Sequence, residues 1–153
     1  MKLSTREDIE APIAYVFQRV SDFERFERRA MRQGADVSRA EGLVEIGMIW
    51  DIAFEFRGRS RKAQAELTGM ETQHAIEIIS RSDGLTAVTQ VETVALSGTR
   101  TRVLVTCDLR AKTLTARLLL QSLKLAKTKL TKRFKARVLD YAESIEDDFR
   151  RGH

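Results

Sequence analysis

Residues 46–56 read IGMIWDIAFEF, and this stretch decides the fold. Large apolar residues stand at every second position from Ile46 to Phe56, while residues such as Gly47 and Asp51 lie between them. A period of two places one set of side chains on one face of a β-strand. A face so long and bulky needs a large partner to bury it. The stretch therefore predicts a curved sheet that packs on another apolar element and encloses a pocket.

The predicted partner is an amphipathic helix in the last third of the sequence. Apolar side chains recur there every three or four positions as one stripe: Leu119, Leu123, Ala126, Leu130, Phe134, Val138, Tyr141, Ile145 and Phe149. This spacing is typical of one buried helix face. A continuous helix over residues 114–149 would measure roughly 54 Å, which exceeds a small domain. We therefore expect a kink, or a separate short helix over residues 114–120.

The other segments predict an α+β protein in which the helix packs on one face of a sheet. Residues 2–10 form the first strand, Ala11-Pro12 opens a short helix, and a capping box at Ser21 and Glu24 begins a second. The remaining strands alternate in polarity and are separated by turn residues: 35–40, 44–57, 61–68, 74–81, 85–96 and 99–110. Consecutive strands of this kind form an antiparallel meander with one solvated face. We expect one domain over residues 1–153, with an antiparallel sheet of about six to seven strands wrapped around the C-terminal helix.

Composition narrows the functional classes. Cys107 is the one cysteine, and His74 and His153 are the two histidines, so neither an intrachain disulfide nor a zinc site is expected. The first eight residues lack the apolar core of a secretory signal, and no apolar run approaches about 18 residues. No phosphate-binding loop or nucleophile elbow is present in the sequence. We expect a cytoplasmic protein that uses no metal and no cofactor.

Residues 9–26 read IEAPIAYVFQRVSDFERF. An Ala-Pro pair stands before the first helix, Val16-Phe17 lies on it, and Asp22-Phe23 opens the second. In these residues and in the order of its helices and strands, the chain resembles the START-like superfamily of polyketide cyclases/dehydrases and lipid-transport proteins. The major birch-pollen allergen belongs to this superfamily. One departure is visible, since Glu27-Arg28-Arg29-Ala30 stands where many members have a proline followed by an aromatic residue.

The resemblance implies a helix-grip fold, in which an antiparallel sheet grips the C-terminal helix around an apolar cavity. Members bind lipids, sterols, polyketides, quinones or hormones, and a minority are cyclases. The superfamily has no universal catalytic residue to carry over. We assign no catalytic residue and expect these positions to border a ligand cavity: Phe17, Met48, Trp50, Phe54, Ile76, Cys107, Leu130, Phe134, Arg137 and Tyr141.

Core packing uses the same residue types as a cavity lining, so a filled core is the alternative. Trp50 carries an indole N–H that needs either a protein partner or a ligand when buried. Arg137 falls on the apolar side of the helix between Phe134 and Tyr141. Its head group either reaches solvent or holds a ligand carboxylate or phosphate.

The charge of the chain is unevenly distributed. The net charge is +5, and residues 109–139 contain no acidic residue. A solvated helix tends to use i,i+4 ion pairs, and the helix dipole favours acids early and bases late. The pattern therefore indicates either an unusual solvated face or a docking surface on this set of lysines: Lys124, Lys127, Lys132 and Lys135.

An anionic membrane surface or an acidic protein would match this charge. Nucleic acid fits less well, because Phe134 is the one aromatic residue of the stretch and belongs to the apolar stripe. The pattern does not specify an oligomeric state.

Three functions are consistent with these observations. The first is binding or transport of a hydrophobic or amphipathic small molecule, such as a lipid, quinone or polyketide, between sheet and helix. The second is a cyclase- or hydratase-like enzyme, which would need at least two convergent polar groups among His74, Arg137 and Tyr141. The third is a module that binds an acidic partner or RNA through the basic stretch.

Overall fold

The computed structural model describes residues 1–42 and 44–152. The strands form a seven-stranded sheet in the order β1-β7-β6-β5-β4-β3-β2, and every neighbouring pair is antiparallel. This confirms the α+β class and the predicted antiparallel sheet. The elements follow one another along the chain as β1 Lys2–Ile9, α1 Ile13–Val20, α2 Phe23–Arg32, β2 Asp36–Arg39, β3 Ile49–Phe56, β4 Arg59–Glu71, β5 Ala75–Ser82, β6 Leu85–Ser97, β7 Arg100–Ala111, α3 Leu114–Leu125 and α4 Lys127–Arg150.

One face of the sheet carries the core, and we call it the inner face. Trp50 pairs with Ala65 across β3 and β4, and residues directly opposite each other point to the same side of a sheet. Leu67, Ile76 and Val103 are buried on this inner face. The outer face is polar, with cross-strand pairs such as Asp8 to Arg102 at 2.8 Å. The sheet therefore has the apolar-in, polar-out alternation of a sheet covered on one side.

The antiparallel order gives the sheet two different ends. The β3–β4 and β5–β6 turns lie at one end with the last residues of β7, and we call this the hairpin end. The β4–β5 and β6–β7 turns lie at the other end, beside α1 and the start of α2, and we call this the helix end. The Thr101 hydroxyl is buried there and donates to the Ala11 carbonyl at 2.8 Å, which fastens the entry to α1.

The C-terminal helix is broken, as its length predicts, but the break falls at Ala126 instead of near residue 120. The Ala126 N–H donates to the Leu123 carbonyl at 3.0 Å, which closes α3 with a short turn before α4 begins. Leu120 and Leu123 are both buried. Helix α3 therefore continues past residue 120, and both leucines are buried on it.

Helix α4 runs from the hairpin end to the helix end and packs chiefly along β1. Ile145 is its fully buried residue. The Glu10 N–H donates to the Glu146 carboxylate at 2.8 Å, and the Phe149 ring lies 4.9 Å from that of Tyr15. These contacts fix the C-terminal part of α4 against the helix end.

Two local predictions are wrong. The strand predicted from residue 44 begins at Ile49, because Gly47 adopts φ +97° and breaks the extended backbone. Ile46 therefore leaves the inner face and is 59% exposed. The cap of α2 is Asp22, whose carboxylate accepts from the Arg25 N–H at 3.2 Å, while Ser21 donates to the Phe17 carbonyl.

Within the described residues, no helix has both the length and the apolar composition needed to cross a bilayer.

Candidate ligand-binding site

The inner face is incompletely covered at the centre of the sheet. On the central strands β4, β5 and β6 the inner side chains remain partly accessible: Ala63, Ile78, Ser80, Ala87 and Thr89. Strands on both sides flank these positions, so the exposure does not come from a sheet edge. A close-packed core would bury such side chains completely. We call the region on this side of the sheet, toward α3 and α4, the chamber.

The chamber wall is mostly apolar and carries a few polar atoms. The Thr89 hydroxyl on β6 lies 3.8 Å from the Cys107 sulfur on β7 and donates to it. Burial raises the pKa of the Cys107 thiol, so the sulfur stays protonated near neutral pH. Ser80 adds a hydroxyl on β5. A wall of this composition suits an apolar ligand with few polar groups.

A pocket of about 310 Å³ opens at the helix end, between α1, the start of α2 and the β4–β5 turn. Phe17, Phe23, Val44 and Met70 form its apolar part. The remaining residues around it are small or polar: Ala14, Gln18, Ser21, Thr72 and Gln73. The pocket therefore has an apolar floor and a polar rim at this end of the sheet.

Trp50 has a protein partner for its indole N–H. The ring is 5% exposed, lies 5.4 Å from the Phe23 ring, and donates to the Glu27 carboxylate at 2.7 Å. The same Glu27 oxygen accepts from Arg39. The N–H is thereby satisfied without a ligand, and Trp50 anchors α2 to the sheet.

The predicted cavity residues fall into three groups. Phe17, Trp50 and Ile76 are buried core residues. Arg137 is exposed, so we do not count it in the lining. The others are half-buried: Met48, Phe54, Cys107, Leu130, Phe134 and Tyr141.

The polar groups considered for catalysis each have different surroundings. His74 is exposed in the β4–β5 turn and lies 3.7 Å from Glu71. The Tyr141 hydroxyl donates to the Arg19 carbonyl at 2.9 Å, and burial raises its pKa to about 12. Arg137 lies one helical turn before Tyr141 on α4, and its side chain is exposed. Among the described residues, no hydrogen bond or ion pair joins any two of these three side chains.

Tyr141 instead borders a groove of about 420 Å³ at the helix end, between α2 and α4. Phe26 lies 5.5 Å from its ring, and Asp148 at the far side binds Arg19. The rim is formed by arginines of α2: Arg25, Arg28, Arg29 and Arg32. Their spacing of three and four places them on one helix face, which the sequence alone could have indicated.

The lysines of the acid-free stretch are all exposed: Lys124, Lys127, Lys132 and Lys135. Lys124 lies in the last turn of α3, and the other three follow along α4. No group of three His, Cys, Asp or Glu side chains among the described residues is arranged to hold a metal ion. His153 lies outside the described residues.

No family model matches the sequence, and no curated protein matches it. Solved structures match its fold. A norcoclaurine synthase point mutant of Thalictrum flavum, in complex with a transition-state analogue, gives a TM-score of 0.70 at 11% identity, covering 98% of this chain and 96% of that one. The Zhui aromatase/cyclase of Streptomyces sp. R1128 gives 0.64 at 12% identity, with coverage of 97% and 95%. A protein of Thermus thermophilus gives 0.63 at 15% identity, with coverage of 95% and 97%.

These identities establish the fold alone. The matched structures confirm the helix-grip fold that the resemblance implies.

Proposed function

We propose that this chain binds a hydrophobic or amphipathic small molecule of the lipid, quinone or polyketide class in the chamber. The observation that carries the proposal is the partial exposure of inner-face side chains on the central strands, such as Ile78 and Thr89. Apolar surface left accessible inside a fold gains roughly 25 cal/mol for each Å² that a ligand covers, before ordering costs. Solved structures of the same fold include two proteins named as a synthase and an aromatase/cyclase, which supports a small organic molecule as the occupant.

Binding without chemical conversion fits the polar groups best. Tyr141 is committed to a backbone carbonyl, His74 lies in an exposed turn, and Arg137 is exposed. The protonated Cys107 thiol is a poor nucleophile, because the thiolate is the reactive form. The enzyme hypothesis would require two of these groups to meet at one ligand atom, and the bond of Tyr141 to a backbone carbonyl and the exposed position of His74 do not favour it.

The test is native mass spectrometry of the purified protein, followed by organic extraction of any co-purifying molecule. We expect a discrete bound mass for the wild-type protein. In Ala87→Trp the indole occupies chamber volume beside β6 that a ligand would need, and the bound fraction should fall by about tenfold or more, which corresponds to about 1.4 kcal/mol or more of binding free energy. Glu92→Trp is the matched control, because Glu92 is exposed on the opposite face of the same strand.

Cys107 provides a second readout in the same samples. A ligand in the chamber should slow modification of its thiol by a disulfide reagent, and extraction of the ligand should restore the rate. The proposal would be contradicted if the purified protein carried no bound mass, if extraction left the thiol reactivity unchanged, and if both tryptophan variants behaved alike.

A further inference from the structure

One side of α3 is apolar and uncovered. Leu114, Leu118 and Leu125 are 74%, 59% and 92% exposed. Spacings of four and seven residues place them on the same side of the helix. Leu120 and Leu123 are buried on the other side. We call the three exposed leucines the leucine face.

Cations surround the leucine face. Arg117 and Lys124 lie on α3, Lys112 precedes it and Lys127 follows it, and all four are exposed. No acid occurs in this part of the sequence, between residues 109 and 139.

Two more exposed cations lie at the same end of the sheet, Arg57 in the β3–β4 turn and Arg59 at the start of β4. Asp83, in the β5–β6 turn, lies 3.8 Å from Arg61, which offsets its charge. The hairpin end therefore combines an apolar strip with positive charge.

Helix α3 lies across the hairpin end. Its start is held beside the β5–β6 turn, where the Lys112 N–H donates to the Gly84 carbonyl at 2.9 Å. A Cβ on Gly84 would lie 2.5 Å from the hydroxyl of Thr113, the N-cap of α3. Near the other end, Arg57 of the β3–β4 turn donates to the Ser122 hydroxyl at 3.0 Å. The buried side of α3 therefore faces the sheet, and the leucine face points away from it.

We propose that the leucine face docks on an anionic lipid membrane, with the three leucines at the boundary of headgroups and acyl chains and the flanking cations on lipid phosphates. Helices that lie in a membrane interface combine an apolar strip with flanking lysine and arginine. Basic side chains near an anionic bilayer add to this affinity. An acidic protein surface would match the charges but would leave the leucines against carboxylates. The docking stands independently of the chamber ligand, and it would bring one end of the chamber to the membrane.

The apolar part is tested by co-sedimentation with vesicles of equal parts phosphatidylglycerol and phosphatidylcholine. Leu118→Ser with Leu125→Ser should lower the bound fraction at least about tenfold, and the loss should persist at high salt, because it removes buried apolar area. The control is Val94→Ser with Leu96→Ser, which changes two exposed apolar residues at the helix end. It should bind as the wild type does.

The charge part uses the same vesicles. Lys124→Glu with Lys127→Glu should lower binding by about tenfold or more at low salt, and this loss should shrink as salt screens the charges. Arg28→Glu with Arg32→Glu makes the same change of charge on α2, at the rim of the groove between α2 and α4. That control should keep most of the binding, and wild-type protein should bind phosphatidylcholine vesicles weakly.

Each contrary result overturns the proposal. Equal losses for the two charge variants would indicate unspecific attraction, and a loss confined to the α2 variant would place docking at the groove between α2 and α4. Unchanged binding of the serine variant would exclude the leucine face. A wild-type dimer that the serine variant converts to a monomer, with no vesicle binding, would show that a second copy covers the face. Loss of the chamber ligand in Ala87→Trp without loss of vesicle binding separates this proposal from the previous one.

Discussion

Replacing Trp50 with alanine is expected to lower the free energy of unfolding by about 3–5 kcal/mol. The side chain is almost fully buried, and its ring packs on Phe23 while its N–H donates to Glu27. The substitution removes the packing between α2 and β3 and leaves a cavity that the sheet cannot close. Helix α2 is otherwise mostly exposed, with Phe23 as its buried residue.

Trp50→Phe separates the stabilising contribution of the aromatic ring from that of the indole N–H hydrogen bond. It retains an aromatic ring against Phe23 but removes the donor to Glu27, so we expect a loss of about 1–3 kcal/mol. Phe56→Ala, at a 38%-exposed position of the same strand, is the control and should cost about 1 kcal/mol or less. Urea unfolding followed by far-UV circular dichroism measures all three, because Trp50 is the one tryptophan and fluorescence is lost with it. A Trp50→Phe protein as stable as the wild type would show that the indole N–H contributes nothing.

Replacing Asp148 with asparagine is expected to destabilise the fold by about 2–3 kcal/mol, because it leaves the buried guanidinium of Arg19 without its carboxylate. Arg19 is 8% exposed, and its Nη1 lies 2.6 Å from the Asp148 carboxylate. The expected loss is below that of a fully buried pair because Asp148 keeps contact with solvent and with Arg25 at 3.6 Å.

The same pair predicts a dependence on pH. Burial opposes ionisation of Asp148, but the hydrogen bond and charge of Arg19 outweigh it and hold the pKa of Asp148 below its usual value of 3.8. A lowered carboxyl pKa contributes stability that is fully present above the unfolded pKa and is lost as pH falls through the folded pKa. Wild-type protein should therefore lose stability more steeply than Asp148→Asn below about pH 4. Glu143→Gln, at an exposed position of α4, should follow the wild-type profile.

Periodicity predicted an element well where one geometric rule, such as the alternation of side chains along a strand, determines which residues share a face. Alternation along β3 correctly places Trp50 and Phe54 on one face, because the pleat fixes that direction. It failed at Ile46, where the backbone of Gly47 turns away. The length of the helical pattern correctly predicted a break in the C-terminal helix. The break lies at Ala126 and not near residue 120, because α3 continues through the buried Leu123.

The contacts around the candidate site were harder to predict from the sequence, because they join side chains from distant segments of the chain. Glu27 meets Trp50, and Arg19 meets Asp148 more than a hundred residues later. Which polar side chain satisfies another depends on where α2 and α4 end in space, and spacing does not contain that information. The leucine face was hidden for a different reason. Leucines occupy so many positions of α3 that several faces satisfy the helical pattern, and only the packing on β7 selects the buried one.

The break at Ala126 also allows α3 and α4 to differ in local stability. Helix α4 begins without a side-chain cap and without an acid in its first turn, so α3 and α4 are joined by a weak point of the backbone. The described contacts that tie α3 to the sheet are the bond at Gly84, the Arg57–Ser122 bond and a short apolar side. Helix α4 is secured along β1 by its own buried side chains. We therefore expect α3 to open locally at a smaller free-energy cost than unfolding of the whole chain.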